Sequence, residues 1–132
     1  MIGLDTNVLV RFLTHDDPAQ TPVAIKLMRS LSPSSPGFVS LVALAELTWV
    51  LASLYKLEKS EVELVVENLL RSDALVLEQS EIVWQALRRF KICNAGFSDC
   101  LLERCGHAAE CLYTFTFDKR AVAAGMRLLE NR

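Results

Sequence analysis

The stretch "MIGLDTNVLVRFL" (residues 1–13) joins two different patterns at one acidic residue. Its first four residues form a short apolar run typical of a buried strand, and from Thr6 onward apolar residues recur at helical spacing. Asp5 lies between the two, where the expected strand ends. Ligands of open parallel sheets bind outside the carboxyl ends of the strands, so Asp5 is a candidate site residue. The alternative is that Asp5 only caps the helix that begins at Thr6.

The same alternation of strand and helix patterns continues along the chain. Four short apolar runs predict strands, at 1–4, 37–40, 74–78 and 111–117. Helical patterns follow each of them, at 6–13, 19–31, 40–55, 60–70, 80–90, 98–109 and 119–130. Strands that are apolar on both faces and alternate with helices predict an α/β fold, a three-layer α/β/α sandwich with a central, mainly parallel sheet. A chain of 132 residues is expected to form a single domain, 1–132.

The sequence also indicates where the protein resides. No apolar stretch approaches the roughly 20 residues that a membrane-spanning helix needs, and the N-terminus lacks the features of a signal peptide. The four cysteines, separated by six, four and five residues, match no paired zinc-binding spacing. We therefore expect a cytoplasmic protein without a membrane association, in which the cysteines are reduced and structural.

Glu46 is the second candidate site residue. It is the only charged residue from Ser40 to Tyr55, and this segment is so apolar that it predicts a buried helix. A carboxylate buried in such a helix is costly unless it is paired, hydrogen-bonded or bound to a metal. The alternative to a metal ligand is an ion pair with an arginine elsewhere.

Two further acids stand at helix starts. Asp99 follows Ser98 at the beginning of an expected helix, near the positive end of its dipole, and Asp118 directly follows the last expected strand. Each alone is explained as a capping or first-turn acid. Together with Asp5 and Glu46, they can converge on one rim of a parallel sheet, where their mutual repulsion requires a divalent cation. Oxygen ligands favour Mg²⁺ or Mn²⁺, ions suited to phosphodiester hydrolysis.

These four segments resemble a known family. "MIGLDTNVLVRFL", "FVSLVALAELTWVL", "FSDCLLE" and "TFTFDKRA" are similar to the four acidic motifs of PIN-domain proteins, in particular the VapC-like toxins of bacterial toxin–antitoxin pairs. The likeness extends over essentially the whole chain in motif order, spacing and total length. It implies a metal-dependent endoribonuclease, usually a homodimer, that a cognate antitoxin protein holds inactive.

The resemblance also implies roles for individual residues. It places the metal-binding and catalytic acids at Asp5, Glu46, Asp99 and Asp118. Supporting polar groups would be Thr6, Asn7, Ser98 and Thr116. The chain departs from the family pattern in having Ser98 where alanine is frequent, and in lacking an aromatic residue shortly after Asp118.

The charge balance is compatible with an RNA substrate. The net charge is −2, and setting aside the four candidate ligands leaves 12 acidic against 14 basic residues. Binding through so few cations is expected to be weak and salt-sensitive. The candidate RNA contacts are Arg11, Arg88, Arg89, Lys91, Lys119 and Arg120; the alternative for each is a solvated helix face.

Three other functions are weighed against the ribonuclease. Phosphoryl transfer through Asp5 as nucleophile usually needs a second acid two residues later, where this chain has Asn7. The two histidines, His15 and His107, lie outside the acidic segments, which disfavours a histidine-based ribonuclease. A catalytically idle PIN-fold module that binds a protein partner is the remaining alternative. The resemblance also implies an apolar groove for the antitoxin, with Trp49 and Trp84 as candidates unless they belong to the core.

Overall fold

The computed structural model describes residues 1–130, in which the chain forms two compact units, one from Met1 to Glu78 and one that begins at Gln79. The N-terminal unit contains three strands and four helices in the order β1 (Ile2–Gly3), α1 (Thr6–Thr14), α2 (Gln20–Ser30), β2 (Gly37–Val39), α3 (Leu41–Ser53), α4 (Lys59–Arg71) and β3 (Leu75–Leu77). The strands form one sheet in the order β1-β2-β3, and both pairings are parallel. Their carboxyl ends therefore lie along the same edge.

The centre of this sheet is tightly packed around β2. Ile2 pairs with Gly37, and Gly37 pairs with Leu75 on the other side. A Cβ atom at Gly37 would approach the Leu4 and Leu31 side chains to 2.8 and 2.9 Å, so glycine lets the neighbouring leucines close over the strand. The helices cover the sheet with a core of fully buried side chains, among them Leu9, Val39, Leu44, Leu47, Leu51 and Val66.

The C-terminal unit contains two helices, two short strands and a 3₁₀ helix. They follow in the order α5 (Ser80–Ile92), α6 (Phe97–Ala108), β4 (Phe115–Thr116), the 3₁₀ helix (Ala121–Ala124) and β5 (Arg127–Leu128). The β4 and β5 strands are parallel, with Phe115 opposite Arg127. Phe90 of α5 and Phe97 of α6 pack edge to face with ring centroids 5.7 Å apart.

These elements confirm the predicted fold class, an α/β protein with a parallel sheet flanked by helices. Each of the four apolar runs contains a strand. The helix predicted over 119–130 is wrong: a four-residue 3₁₀ helix stands there, and β5 follows it. Gly125, with a φ of 110°, turns the chain out of the helical path. The helix predicted over 60–70 is α4, which begins one residue earlier because Glu58 and Glu61 form its capping box.

The prediction that α3 is buried all round is wrong on one face. Leu44, Leu47 and Leu51 are fully buried, whereas Val42 and Trp49 are 69% and 60% exposed. Trp49 is therefore not a core residue, and Trp84 of α5 is half-buried.

The four cysteines, all within the described residues, form no disulfide. The Cys93 and Cys100 sulfur atoms lie 3.7 Å apart, far beyond the roughly 2 Å of an S–S bond. Cys100 is fully buried, and this burial raises the pKa of its thiol to about 12. Over residues 1–130, the helices lack the combination of length and apolarity that crossing a membrane requires.

Candidate metal site and its surroundings

Asp5 occupies the predicted junction between strand and helix. Buried Leu4 extends the pairing of β1, because its amide donates to the Phe38 carbonyl at 2.9 Å, and Asp5 follows directly. Asp5 is the N-cap of α1: its Oδ1 atom accepts a hydrogen bond from the Thr6 amide at 2.8 Å. Among residues 1–130, no group donates a hydrogen bond to its Oδ2 atom. The cap uses one carboxylate oxygen and leaves the other for a ligand.

Thr6 connects Asp5 to Glu46. Thr6 is the first residue of α1 and is only 7% exposed. Its hydroxyl group donates to the Glu46 Oε1 atom at 3.3 Å, while its backbone amide donates to Asp5. Two carboxylates that are 41 residues apart in sequence thus share one threonine as a hydrogen-bond donor.

The position of Glu46 follows from how α3 begins. The helix starts directly after β2 because the Ser40 hydroxyl caps it, accepting from the Ala43 amide at 3.1 Å. Glu78, which follows β3, adds a second cap by accepting from the Leu41 amide at 2.8 Å. Glu78 was not among the predicted site residues, although its place after an apolar strand matches that of Asp5. Its carboxylate serves the start of the helix that carries Glu46.

The expectation that Glu46 is buried is wrong, since the side chain is exposed on the same face of α3 as Val42 and Trp49. The apolar residues that flank Glu46 in the sequence therefore do not fix the position of its carboxylate. Its hydrogen bond to buried Thr6 is the observation that ties Glu46 to Asp5. Asn7, the other predicted supporting residue of α1, is exposed and lines a cavity of about 340 Å³ between α1 and α2.

In the C-terminal unit, Asp99 lies in the first turn of α6. It is the third residue of a helix whose N-cap is Gly96, so the carboxylate is close to the positive end of the helix dipole. Asp99 and the preceding Ser98 are both half-buried. A Cβ atom at Gly96 would lie 3.7 Å from the Asp99 Oδ2 atom, which shows how closely the carboxylate folds back over the helix start.

Asp118 follows β4 and is exposed. Its Oδ1 atom accepts from the Arg120 amide at 2.8 Å, which makes it the cap of the turn leading into the 3₁₀ helix. The hydroxyl oxygen of Thr116 accepts from the Asp118 amide at 3.0 Å. Thr116 therefore contacts the backbone of Asp118.

Sequence reasoning missed one buried acid, Glu103. It is 8% exposed and accepts two hydrogen bonds from Arg104, at 2.8 and 2.9 Å. These hydrogen bonds are the main cause that lowers the pKa of the Glu103 carboxyl; the charges of Arg104 and Arg89 contribute as well. Glu103 stands four residues after Asp99 on α6, a spacing that places both acids on one side of the helix. This four-residue spacing from Asp99 was the sequence signal that could have identified Glu103.

Two of the predicted RNA contacts are held within the protein. The Nε atom of Arg11 donates to Gln20 at 2.8 Å, and its Nη1 atom lies 3.4 Å from the Asp16 carboxylate. Arg89 donates to the Ala124 carbonyl at 2.7 Å, at the end of the 3₁₀ helix. The remaining predicted contacts are exposed: Arg88, Lys91, Lys119 and Arg120.

The donor set around Thr6 suits a hard divalent cation. The carboxylates of Asp5 and Glu46, which Thr6 holds by hydrogen bonds, present only oxygen atoms, which Mg²⁺ and Mn²⁺ prefer. Over residues 1–130, no three His, Cys, Asp or Glu side chains form a group able to hold a metal ion. Mg²⁺ is commonly bound by one or two carboxylates, with water and substrate phosphate completing its shell, and the Asp5–Glu46 pair meets that requirement.

The fold and these carboxylates define a class: an α/β protein with acids at the ends of parallel strands. A family model of the PIN domain matches residues 2–125, almost the whole chain, so the chain belongs to the PIN domain family. PIN domains are generally nucleases, hydrolases of phosphodiester bonds that typically depend on divalent metal ions. No curated protein matches the chain.

Proposed function

We propose that this PIN-domain protein is a Mg²⁺- or Mn²⁺-dependent endoribonuclease. The observation that carries the proposal is the pair of carboxylates, Asp5 and Glu46, joined through Thr6 at the end of a parallel strand. The likeness of the sequence motifs adds Asp99 and Asp118 to the proposed ligands and catalytic acids.

Each residue has a defined task in this proposal. Asp5 uses its Oδ1 atom to start α1 and keeps Oδ2 for the ion, while Thr6 holds the Glu46 carboxylate in place. When bound, the ion neutralises charge on the phosphodiester and activates water for in-line attack. No side chain is needed as a covalent nucleophile. Exposed Arg88, Lys119 and Arg120 are the cations most available to the RNA backbone, because they form no ion pair within residues 1–130.

The proposal includes a toxin–antitoxin role in the cytoplasm, with a cognate antitoxin and a homodimer of this chain. Exposed Val42 and Trp49 flank Glu46 on α3, each about one helical turn away from it on either side. Single exposed apolar residues are ordinary on protein surfaces, but here they border a proposed metal ligand. This arrangement supports a protein partner that covers the site. Co-purification of the chain with the product of an adjacent upstream reading frame, lost in Trp49→Ala, tests this role.

The alternative is an idle PIN-fold module that only binds a protein. Glu46→Gln separates the two, because it removes a charge without removing bulk. A module without catalysis would lose nothing and would keep or gain stability. A nuclease would lose metal binding and cleavage.

The direct test is cleavage of a structured RNA by the purified chain with Mn²⁺ and with EDTA. We expect cleavage only with Mn²⁺, and its loss in Asp5→Asn and Asp99→Asn variants that remain folded. Asp73→Asn, in an exposed acid outside the four motifs, is the matched control and should cleave like the wild type. Cutting that persists in both site variants would overturn the proposal.

A further inference from the structure

An exposed row of aromatic side chains lies on the β4–β5 sheet. Tyr113, Phe115 and Phe117 alternate with Thr114 and Thr116. The three rings are 39%, 51% and 81% exposed, whereas both threonines are half-buried. Tyr113 and Phe115 stand two residues apart at the start of β4 and their rings are in contact, so they share one face, while Phe117 directly follows the strand as a further exposed ring. The usual burial pattern is inverted here, with the aromatic side outward.

The neighbouring strand adds a cation to this face. Arg127 pairs with Phe115, and backbone hydrogen bonds at 2.8 and 2.7 Å extend the ladder from Thr114 to Leu129. The Arg127 guanidinium lies 3.7 Å from the centroid of the Tyr113 ring, and Tyr113 and Phe115 meet edge to face at 5.0 Å. We call this surface the aromatic face, defined by Tyr113, Phe115, Phe117, Arg127 and Leu129.

The aromatic face is adjacent in sequence to Asp118, one of the proposed ligands. Phe117, the most exposed of the three rings, directly precedes Asp118. Lys119 and Arg120 follow at once, both exposed. Arg127 on the neighbouring strand and these two residues supply three cations to this segment, against Asp118 and Glu130 as acids. Once Asp118 serves as a ligand, the charge around the rings is positive.

We propose that the aromatic face binds unpaired bases of RNA by stacking, with Phe115 and Phe117 as the platforms and Arg127 as the cation beside them. The inference rests on the proposed ribonuclease function and names the residues that hold the substrate. Proteins that bind single strands combine such aromatic platforms with a positively charged path for the backbone. Paired bases are stacked on each other and offer no free ring face, so the face selects single-stranded segments.

Binding measured without cleavage tests this inference. The probe is fluorescein-labelled oligouridine, titrated in EDTA at fixed salt and followed by fluorescence anisotropy. Phe117→Leu and Phe115→Leu keep an apolar side chain but remove the ring. We expect each to bind about tenfold more weakly, the effect of losing one stacked base, and Phe117→Tyr to bind close to wild type.

Ile92→Ala is the matched control, because Ile92 lies in the same unit and is 81% exposed, as Phe117 is. It should leave binding unchanged. A fully paired RNA duplex should bind wild type and Phe117→Leu equally. Equal binding of oligouridine by wild type and both leucine variants would overturn the inference. The other occupant to be distinguished is a second copy of the chain. The face would be assigned to that copy if the wild type sediments as a dimer and Phe117→Leu and Phe115→Leu sediment as monomers that bind RNA as well as the wild type.

These measurements distinguish a failure of this inference from a failure of the proposed nuclease function. RNA binding in EDTA that depends on Phe117, without cleavage in Mn²⁺, would retain the aromatic face and reject the nuclease. Cleavage in Mn²⁺ with no dependence on Phe115 or Phe117 would retain the nuclease and reject the aromatic face.

Discussion

At the scale of single residues, Thr6 contributes most to the site for its size. Its backbone amide donates a hydrogen bond to Asp5, and its hydroxyl group donates one to Glu46. One buried residue therefore orients both carboxylates. Replacing a residue that hydrogen-bonds to a metal ligand without touching the ion typically lowers metal affinity roughly 10- to 100-fold. Thr6 is a positioning residue by this argument.

Replacing Thr6 by Val removes the hydroxyl group and keeps the branched shape. We expect Mn²⁺ affinity to fall about 10- to 100-fold, while the free energy of unfolding drops by only about 1 kcal/mol, the value of one partly exposed hydrogen bond. Thr6→Ser should retain most of the affinity because it keeps the donor. Calorimetric Mn²⁺ titration and urea unfolding measure the two quantities. Equal affinity of Thr6→Val and wild type would show that Glu46 needs no such support.

The ionisation of Glu103 is expected to make the stability of the protein depend on pH. The pKa of its carboxyl is lowered in the folded protein, below the roughly 4.3 of an unfolded chain. Its contribution to stability is therefore complete above that unfolded value and is lost as the pH falls through the folded pKa. Wild type should be more stable than Glu103→Gln at pH 7, by on the order of 1 kcal/mol.

That difference should shrink as the pH drops below about 4 and both proteins carry a neutral side chain. Urea unfolding across this pH range gives the comparison. Since Arg104 stays charged throughout, the carboxyl of Glu103 is the group that titrates in the pair. A stability difference that is constant with pH would contradict the assigned role of the Glu103–Arg104 pair.

At the scale of elements, the C-terminal end of the 3₁₀ helix depends on Gly125. Its φ of 110° is a conformation that other residues adopt only with strain. A Cβ atom there would also lie 2.7 Å from the Arg89 Nη1 atom, which is hydrogen-bonded to the Ala124 carbonyl. The glycine thus allows Arg89 to close the helix end.

We expect Gly125→Ala to lower the free energy of unfolding by about 1–3 kcal/mol. Gly3→Ala is the matched control: Gly3 is exposed, its φ is not positive, and a Cβ atom there meets nothing within 4 Å. Chemical unfolding of the two variants, side by side, provides the test. If both alanine variants unfold like the wild type, Gly125 is not what ends the helix.

The elements also show what the sequence can predict and what it cannot. Strand positions and the junction at Asp5 follow from local patterns, and the structure confirms them. The exposure of Glu46 was not predictable in this way, because an apolar segment does not reveal which helix face lacks a neighbour. The error over 119–130 has a local cause, since the positive φ of Gly125 outweighed a helical pattern. Glu103 was missed because its burial depends on packing against residues distant in sequence, such as Gly125, and the adjacent Arg104 does not reveal that burial.

At the scale of the whole molecule, the PIN family match over residues 2–125 makes a metal-dependent nuclease the natural interpretation of the acids. The central claim is that Asp5 and Glu46, held by Thr6, form a divalent-metal site. A ligand that binds only the folded state must also stabilise it by mass action. Metal binding and thermal stability are therefore two measurements of the same site.

Mn²⁺ titration followed by electron paramagnetic resonance tests this claim most directly. It should be applied to the wild type, Asp5→Asn, Glu46→Gln and the control Asp73→Asn, each shown to be folded. We predict saturable Mn²⁺ binding by the wild type and by Asp73→Asn, and a loss of at least about tenfold in affinity in each site variant. Wild-type affinity in both Asp5→Asn and Glu46→Gln, or no Mn²⁺ binding by the folded wild type, would contradict the metal site.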